Sequence, residues 1–581
     1  MTTTDVAVAR VLPERPIDTL DAYVDSGGGR AVDAARRLGP DGVLEHLEAA
    51  GLRGRGGAGF PTSRKWATVR ANASATYPTT VVVNAAEGEP GSLKDREILR
   101  RNPFAVVEGA LVAATTLGAR RVVVATKASF ERERATVQAA IAAAVQAGWA
   151  DGVEGGVDVV TFAGPSEYLY GEETGLLEAL EGRPPFPRVA PPYRHGVEEL
   201  GESGSPEPAR VAMADGTDAP PTLVNNTETM AHVATIVTNG PAWFRELGTD
   251  ASPGTVVVTI TGDTRRHGVA EVPMGTPLRD VVEGVGGGAR DGRRIVAALS
   301  GVANEVLGED RLDTPLSYEA MTAVGSGLGA AGFIVFDDAT DFAAVAHGIS
   351  RFLAVESCGQ CVPCKLDGLA IAEHLDRVRR NEADASDLVV IDERLTTVGD
   401  SARCALAGQH QRVVGSLVRR FADDLRGHVD GRVPAADEMV VAPVVEIGDD
   451  GLVRCDAAQA TKQPDWTHDA VDSGRTPAER LATASPDARR GHAIEDPVPG
   501  AGEAGAAPPA DVPPAERPSN RVPPEDVADD PEARLYSSAP IETDEGTVVV
   551  EQQNVGPGGE AGAGEWPDPD TPPQRPAPGA S

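Results

Sequence analysis

Three short runs rich in β-branched residues, TTVVVN (79–84), RVVVAT (121–126) and VDVVTF (157–162), alternate with stretches of helical pattern at roughly 103–117 and 130–147. Apolar strands separated by helices predict βαβ units and a parallel sheet, because each helix must lay its apolar stripe on a sheet face. In such sheets ligands bind beyond the carboxyl ends of the strands. The segments at those ends are NAAEGEPGSLKDRE, TKASFERE and AGPSEYLYGEETGLLEALEG. The first and third mix acids, glycines and amides, as a ligand site does.

Upstream of the first strand, GLRGRGGAGFPTSRKW (51–66) contains Gly54, Gly56 and Gly59 in the G-x-G-x-x-G pattern. A dinucleotide-binding loop of that spelling needs a strand before it and a helix after it. Here residues 31–51, AVDAARRLGPDGVLEHLEAAG, read as helix with a break at Gly39-Pro40. The context therefore fails for a standard Rossmann loop, and the residues alone leave an anion cradle and a plain flexible turn both open.

Further on, residues 255–335 read as a separate small module. TVVVTITGD is a strand, GVAEVPMGTPLRDVVEGVG reads strand, turn, helix, and RIVAALSG and GFIVF are further strands. Four short strands around one helix predict a β-grasp-like α+β unit. From 341 to about 427 the pattern is helical, with DFAAVAHGISRFLAVESC and HQRVVGSLVRRFADDLRG as amphipathic stretches that predict a small bundle. Beyond about 456 the chain is rich in Pro, Ala, Gly, Asp and Glu, a composition that buries too little apolar surface to offset chain entropy, and it reads as disordered. The brief GTVVVEQQ (546–553) is a stretch there with strand pattern.

The net charge of −35 over 581 residues argues against non-specific binding to nucleic acid or anionic membranes. No run of about 18 apolar residues predicts a membrane span. The start, MTTTDVAVARVLPERP, lacks a basic region followed by an apolar core, so no secretory signal is expected there. The expected location is the cytoplasm, with docking onto a membrane complex through a partner left open. Five cysteines in a chain of this length do not suggest a disulfide scaffold.

Three of those cysteines, Cys358, Cys361 and Cys364, stand at C-x2-C-x2-C in ESCGQCVPC, and Cys404 follows in DSARCALAG. Three thiolates so close, with a remote fourth, match [4Fe–4S] ligation of the ferredoxin type. Zinc is the competitor, although structural zinc usually takes ligand pairs separated by a loop. His347 and His410 are the nearest histidines in sequence, and Cys455 stands alone as an unligated or surface thiol.

GLRGRGGAGFPTSRKW, NAAEGEPGSLKDRE, YGEETGLLEALEG, TLVNNTET and ESCGQCVPC…CALAG occur in this order. Together they resemble the NADH-oxidising, flavin-carrying F subunit of respiratory complex I, whose core recurs in diaphorase subunits of soluble NAD-linked hydrogenases and formate dehydrogenases. The resemblance covers about residues 17–427. It implies FMN, NAD(H) and one [4Fe–4S] cluster, with hydride passing from NADH to the flavin and single electrons passing to the cluster. It also implies an α/β flavin- and NADH-binding domain with a parallel sheet, the β-grasp-like module (soluble-ligand-binding type), and an α-helical iron–sulfur bundle. On this reading 1–50 is an N-terminal helical segment, 51–250 the FMN/NADH domain, 251–338 the β-grasp-like module, 339–430 the cluster domain, and 431–581 a linker and disordered acidic tail.

The resemblance assigns Gly54, Arg55, Gly56, Gly57, Gly59 and Lys65 to a loop lining the flavin and nucleotide cavity, where glycines let backbone N–H groups approach the cofactor. Phe60 matches a ring expected to stack on the adenine of NADH. Asn84, Glu87 and Glu89 fall on the flavin and nicotinamide segment, and Tyr168, Gly171, Glu172 and Glu173 on the loop beside the isoalloxazine. Glu87, Glu89, Glu172 and Glu173 are the expected catalytic carboxylates, acting by position and electrostatics. Asn225 and Asn226 match a pair at the flavin phosphate, and Cys358, Cys361, Cys364 and Cys404 the cluster ligands. The plain alternatives are a helix start for the two glutamates, a cap for the asparagines, and solvated charge for Lys94, Asp95 and Arg96, which match the family too.

The chain departs from the family pattern at several positions. Ala86 stands where an aspartate is usual, Tyr170 where a cysteine is common, Ala190 for a basic residue, and Thr68 and Tyr193 for phenylalanines. Each lost nucleotide contact is worth roughly 1 kcal/mol, which leaves NADH and NADPH both open as donor. With no cysteines for a second cluster, the expected next acceptor is another protein, the family's usual partner being a thioredoxin-like [2Fe–2S] subunit among further electron-transfer subunits. Three functions compete: the electron-input subunit of a complex I, the same diaphorase core in a soluble hydrogenase, formate dehydrogenase or ferredoxin-linked system, and a non-catalytic homologue that keeps the cluster.

Overall fold

The first sheet is all parallel, as the alternating pattern predicts, and its strand order is β3-β2-β1-β4. The computed structural model describes residues 6–74, 78–152, 155–197, 221–448, 450–483, 541–543 and 546–548. The strands are β1 (Thr80–Ala85), β2 (Arg121–Lys127), β3 (Asp158–Gly164) and β4 (Thr222–Asn226). β1 is buried along its whole length, as a strand covered on both faces must be. Val81, Val83 and Ala85 face the helices Ala31–Ala50, Pro103–Leu117 and Thr227–Asn239, while Val82 faces Tyr170 and the helix Glu173–Leu180. Residues 31–50 therefore contribute to this core. Gly39, with φ 70°, makes the expected break in their helix.

β4 has no strand signature in the sequence, since two of its five residues are Asn, a type depleted in strands. It sets the switch point of the sheet nonetheless. The chain leaves β1 toward β2 and β3 on one side, and β4 adds on the other, so the topological switch point lies between β1 and β4. There Asn84 and Asn226 sit side by side in register at the carboxyl ends.

A second, mixed sheet follows in the order β6-β5-β9-β7-β8. It comprises β5 (Thr255–Gly262), β6 (Gly268–Pro273), β7 (Ile295–Ser300), the two-residue β8 (Leu307–Gly308) and β9 (Gly332–Asp337), and packs on the helix Leu278–Gly286. β5 and β9 are parallel and the other neighbours antiparallel. β8 is too short to leave a pattern in the sequence.

The helices Phe342–Glu356, Val362–Arg379, Ala385–Thr397, Leu406–Arg420 and Ala422–Val429 form a bundle around one apolar core, which Tyr168 and Leu169 from the first unit join. After it, β10 (Val444–Ile447) and β11 (Val453–Cys455) make a hairpin. Here the structure corrects the disordered reading that begins at about 456. Residues 456–483 lie against the bundle, with Trp466 buried in its core and Leu481 packed on it. A few apolar anchors are enough for this segment, because a preformed surface receives them. Gly546–Val548 pairs with Ile541–Thr543, and the rest of the acidic tail lies outside the described residues.

Candidate functional site

A cleft of about 390 Å³, open to solvent, lies at the switch point. It is lined by Gly56, Asn84, Glu87, Glu89, Tyr168, Gly171 and Asn226, together with Ala86, Gly88, Asp95 and Ala330. The carboxamide of Asn84 donates to the Gly171 carbonyl at 2.8 Å and tethers the loop after β3 to the end of β1. Glu89 accepts the Tyr168 hydroxyl at 2.6 Å on one oxygen and the Val302 N–H at 2.6 Å on the other. Burial pushes its carboxyl up to about 7 against the pull of those two donors.

Two more of the expected carboxylates are spent in part on helix starts. Glu87 accepts the N–H groups of Asp95 and Arg96 at the start of the helix Lys94–Arg101. Glu172 caps the helix Glu173–Leu180, its Oε2 accepting the Thr174 and Gly175 N–H groups at 3.0 and 2.7 Å. Burial raises it to about 6 all the same. Glu173 is buried and paired with Lys65 at 2.7 Å.

Lys94 and Asp95 are buried, which excludes the alternative of ordinary solvated charges. Lys94 Nζ lies 2.7 Å from Asp95, 3.0 Å from Glu228 and 3.3 Å from the Asn226 carboxamide oxygen. Burial opposes the ammonium charge, and the two carboxylates more than offset it, so Lys94 is held above the usual lysine range. Burial pushes Glu228 up as well, but Lys94, His232 and Arg55 together outweigh it and hold the carboxyl at about 2. Glu228 also accepts the Val257 N–H, binding the cleft floor to β5. Arg96 is buried too and pairs with Glu133.

The glycine loop runs between two helices, Ala31–Ala50 and Thr62–Ala71, with no strand before it. Gly59 has φ +68°, and a Cβ there would overlap the Tyr318 ring. The Tyr318 hydroxyl in turn donates to the Gly54 carbonyl at 2.5 Å. Arg55 does not offer its charge to the cleft. Its guanidinium is taken by the carbonyls of Arg53, Pro253 and Thr255, because a buried guanidinium must fill its donors. Asn225 also points elsewhere. Its strand neighbour Asn226 faces the cleft, so alternation turns Asn225 to the opposite face, where it accepts the Trp66 indole N–H at 2.7 Å. Gly54, Gly57, Gly59 and Phe60 are not among the residues lining the cleft. Phe60 is half-buried, with Arg64 5.8 Å over its ring.

The four cysteines line a second, narrow cavity with Leu169, Pro187, Ala402 and Leu406. Hydrogen-bond donors reach the sulfurs. The Arg403 N–H lies 3.3 Å from Cys361 Sγ, the Gln360 amide 3.4 Å from Cys358 Sγ, and the Ser357 hydroxyl 3.3 Å from Cys364 Sγ. Burial pushes the thiols up, Cys364 to about 12, so they ionise only against a positively charged centre. Four sulfurs around an apolar cavity with N–H donors fit a [4Fe–4S] cluster. The cleft, rich in carboxylates and carboxamides, fits the ring N–H and ribityl hydroxyls of a flavin. Cys455 is exposed on β11, as expected of an unligated thiol.

Several residues of this neighbourhood escape sequence reasoning. Lys127 ends β2, and its Nζ occupies the space a Cβ on Gly88 would need. It donates to the Ser166 carbonyl, and burial lowers it to about 8. Glu228 and Tyr318 join the site only through tertiary contacts. The TLVNNTET and NAAEGEPGSLKDRE strings carry Glu228 and Lys94, but nothing in their spacing says that the two touch.

Three segments match known families: residues 47–235 match the Nuo51 FMN-binding domain, 257–304 the SLBB domain, and 344–428 the NADH-ubiquinone oxidoreductase-F iron-sulfur binding region. The F 2 subunit of the NADH-quinone oxidoreductase of Rhizobium meliloti is 36% identical over 420 residues, covering 71% of this chain and 95% of the relative. The F subunit of the Mycobacterium tuberculosis NADH-quinone oxidoreductase is 34% identical over 434 residues, covering 72% and 92%. Among solved structures, a chain of the NAD+-reducing [NiFe]-hydrogenase in the H2-reduced state is similar with a TM-score of 0.60 and 32% identity, covering 71% of this chain and 67% of that one.

Proposed function

The chain belongs to the family of NADH-quinone oxidoreductase F subunits, and on that basis we propose how its two cavities divide the work. It is an NADH-dependent flavin and iron–sulfur oxidoreductase. Bound in the cleft, FMN would supply hydride acceptance from NADH, and a [4Fe–4S] cluster held by Cys358, Cys361, Cys364 and Cys404 would supply single-electron transfer toward a partner protein.

In this reading the switch-point cleft holds the flavin. Asn84 and Asn226 supply carboxamide contacts, and Gly56 and Gly171 let the backbone come close. Lys65, paired with Glu173, is read as the positive charge that meets the nucleotide, although neither residue lines the cleft itself. Phe60, half-buried, is the adenine platform. Glu87 and Glu172 are held in place by the helix starts they cap, and so present fixed negative charge to the nicotinamide. Glu89, at about 7, can hold a proton at neutral pH where Tyr168 and Val302 fix its oxygens. Cys358, Cys361, Cys364 and Cys404 hold the cluster. The observation that carries this reading is the sharing of one core by both cavities: Tyr168 and Leu169 pack with Cys358 and Cys364 while Tyr168 also lines the cleft.

The five-stranded unit is read as β-grasp-like, and the divisions at 250, 338 and 430 as domain limits. The acceptor is read as a thioredoxin-like [2Fe–2S] protein or a further iron–sulfur partner. Cytoplasmic placement, peripheral to a membrane through such partners, accords with the described residues, where no helix is long and apolar enough to cross a membrane. The likeness to the hydrogenase chain supports a second reading, in which the same core serves a soluble hydrogenase. Anaerobic NADH titration of the reconstituted protein, followed by visible absorbance and EPR, tests the core claim. Bleaching of bound flavin and growth of a cluster signal are expected. Protein that takes up neither FMN nor iron would overturn it.

A further inference from the structure

The matched family regions end at residue 428, yet the chain continues as a strap that packs on the helix Lys94–Arg101 and on the segment carrying the cysteine loop. The strap first touches the flavin side. The Arg96 guanidinium donates to the Val444 carbonyl, and Arg100 pairs with Glu446 at 2.9 Å. It then reaches the backbone of the cysteine loop. The Trp466 indole donates to the Val355 carbonyl at 2.9 Å, and the Ala478 N–H to the Cys358 carbonyl at 3.0 Å. The Thr476 side chain fills the space that a side chain at Gly359 would take.

Between these anchors Lys462 is buried, its Nζ 2.8 and 2.9 Å from the two oxygens of Glu356. Glu356 Oε2 also accepts the Tyr168 N–H at 3.1 Å, and the Tyr168 hydroxyl donates to Glu89 in the cleft. Lys127 and Lys365 lie near Glu356 as well. Their ammonium groups are held by other acceptors, Ser166 O for Lys127 and the carbonyls of Ala354, Val355 and Ser357 for Lys365. Lys462 alone among the described residues grips both carboxylate oxygens.

We propose that Lys462 is a positioning residue of the redox site: it neutralises Glu356 beside the cluster and, through Tyr168, fixes Glu89 in the flavin cleft. The inference rests on the proposed function, since it needs both cofactors. Cluster potential follows local net charge and hydrogen bonding. Without Lys462, a buried negative charge stands beside the cluster and makes its reduction harder.

The test uses the full chain with FMN and cluster reconstituted, with the midpoint potential read by EPR redox titration. Lys462→Met is expected to move the potential negative, lowering the reduced-to-oxidised ratio at fixed solution potential about tenfold, about 59 mV for a one-electron couple. Lys462→Arg is expected to stay near the parent, and Lys462→Met with Glu356→Gln to return toward it. A parent-like potential in Lys462→Met would overturn the proposal. Where Lys462→Met retains no iron, recovery of iron in the double variant supports the charge role. Failure to recover in both the double variant and Lys462→Arg overturns it in favour of plain packing. A parent protein that itself takes up no FMN or iron removes the proposed function and this inference together, a result distinct from any difference between variants.

Discussion

Glu89 shows how much of the site is decided by single groups. Its carboxyl lies at about 7, against an ordinary 4.5, because burial outweighs the Tyr168 and Val302 donors. The native state therefore holds the proton more tightly than the unfolded chain does. The stability this provides is complete below about 4.5 and is lost as pH rises through about 7. Glu89→Gln cannot titrate, so its stability relative to the parent should improve by up to about 3 kcal/mol between pH 4.5 and pH 8. Urea unfolding of the cofactor-free protein at the two pH values measures this, and an unchanged difference would refute the burial argument. Gly59 is a second case. Its left-handed backbone alone predicts a loss of about 1–2 kcal/mol in Gly59→Ala, and the Tyr318 ring must also move. Weaker FMN retention with a lower Tm is the expected result, and parent-like values for both would show that the loop adapts.

At the scale of elements, the helix Lys94–Arg101 begins under the cleft and carries its first charge into the protein. Lys94 is balanced by Asp95 and Glu228, and Glu228 also ties β5 through the Val257 N–H. Removing one member of a buried ionic group costs about 3–5 kcal/mol, because the others are left uncompensated. Lys94→Met should lose that much in denaturant unfolding, and Lys94→Met with Glu228→Gln should regain part of it. Equal stability of the single and double variants would mean that the lysine acts by its stem and not its charge.

For the whole molecule, the two cavities share a wall. Tyr168 and Leu169 belong to the loop after β3 but pack in the bundle core beside Cys358 and Cys364. Replacing one sulfur ligand removes one corner of the second cavity and no residue of the first. Cys364→Ser is therefore expected to abolish the cluster EPR signal while NADH still bleaches the flavin absorbance. Loss of flavin binding as well would show that the cluster props up the cleft from behind.

The sequence by itself determined the parallel βαβ unit, the bundle and the cysteine cavity, because periodicity and close spacing are local properties that survive without neighbours. Runs such as 79–84 could only be buried strands, and C-x2-C-x2-C puts three sulfurs together in nearly any fold. Motif order also marked Asn84, Glu87, Glu89, Tyr168 and Gly171 as a group, and the structure brings them to one cleft. Only the tertiary structure decided which side chains face it. The pleat turned Asn225 away and Asn226 in, three backbone carbonyls claimed Arg55, and the start of a distant helix buried Lys94 against Glu228. It alone also showed residues 456–483 lying on the bundle. A polar segment with few apolar anchors cannot fold by itself, but needs little when a finished surface supplies the partners.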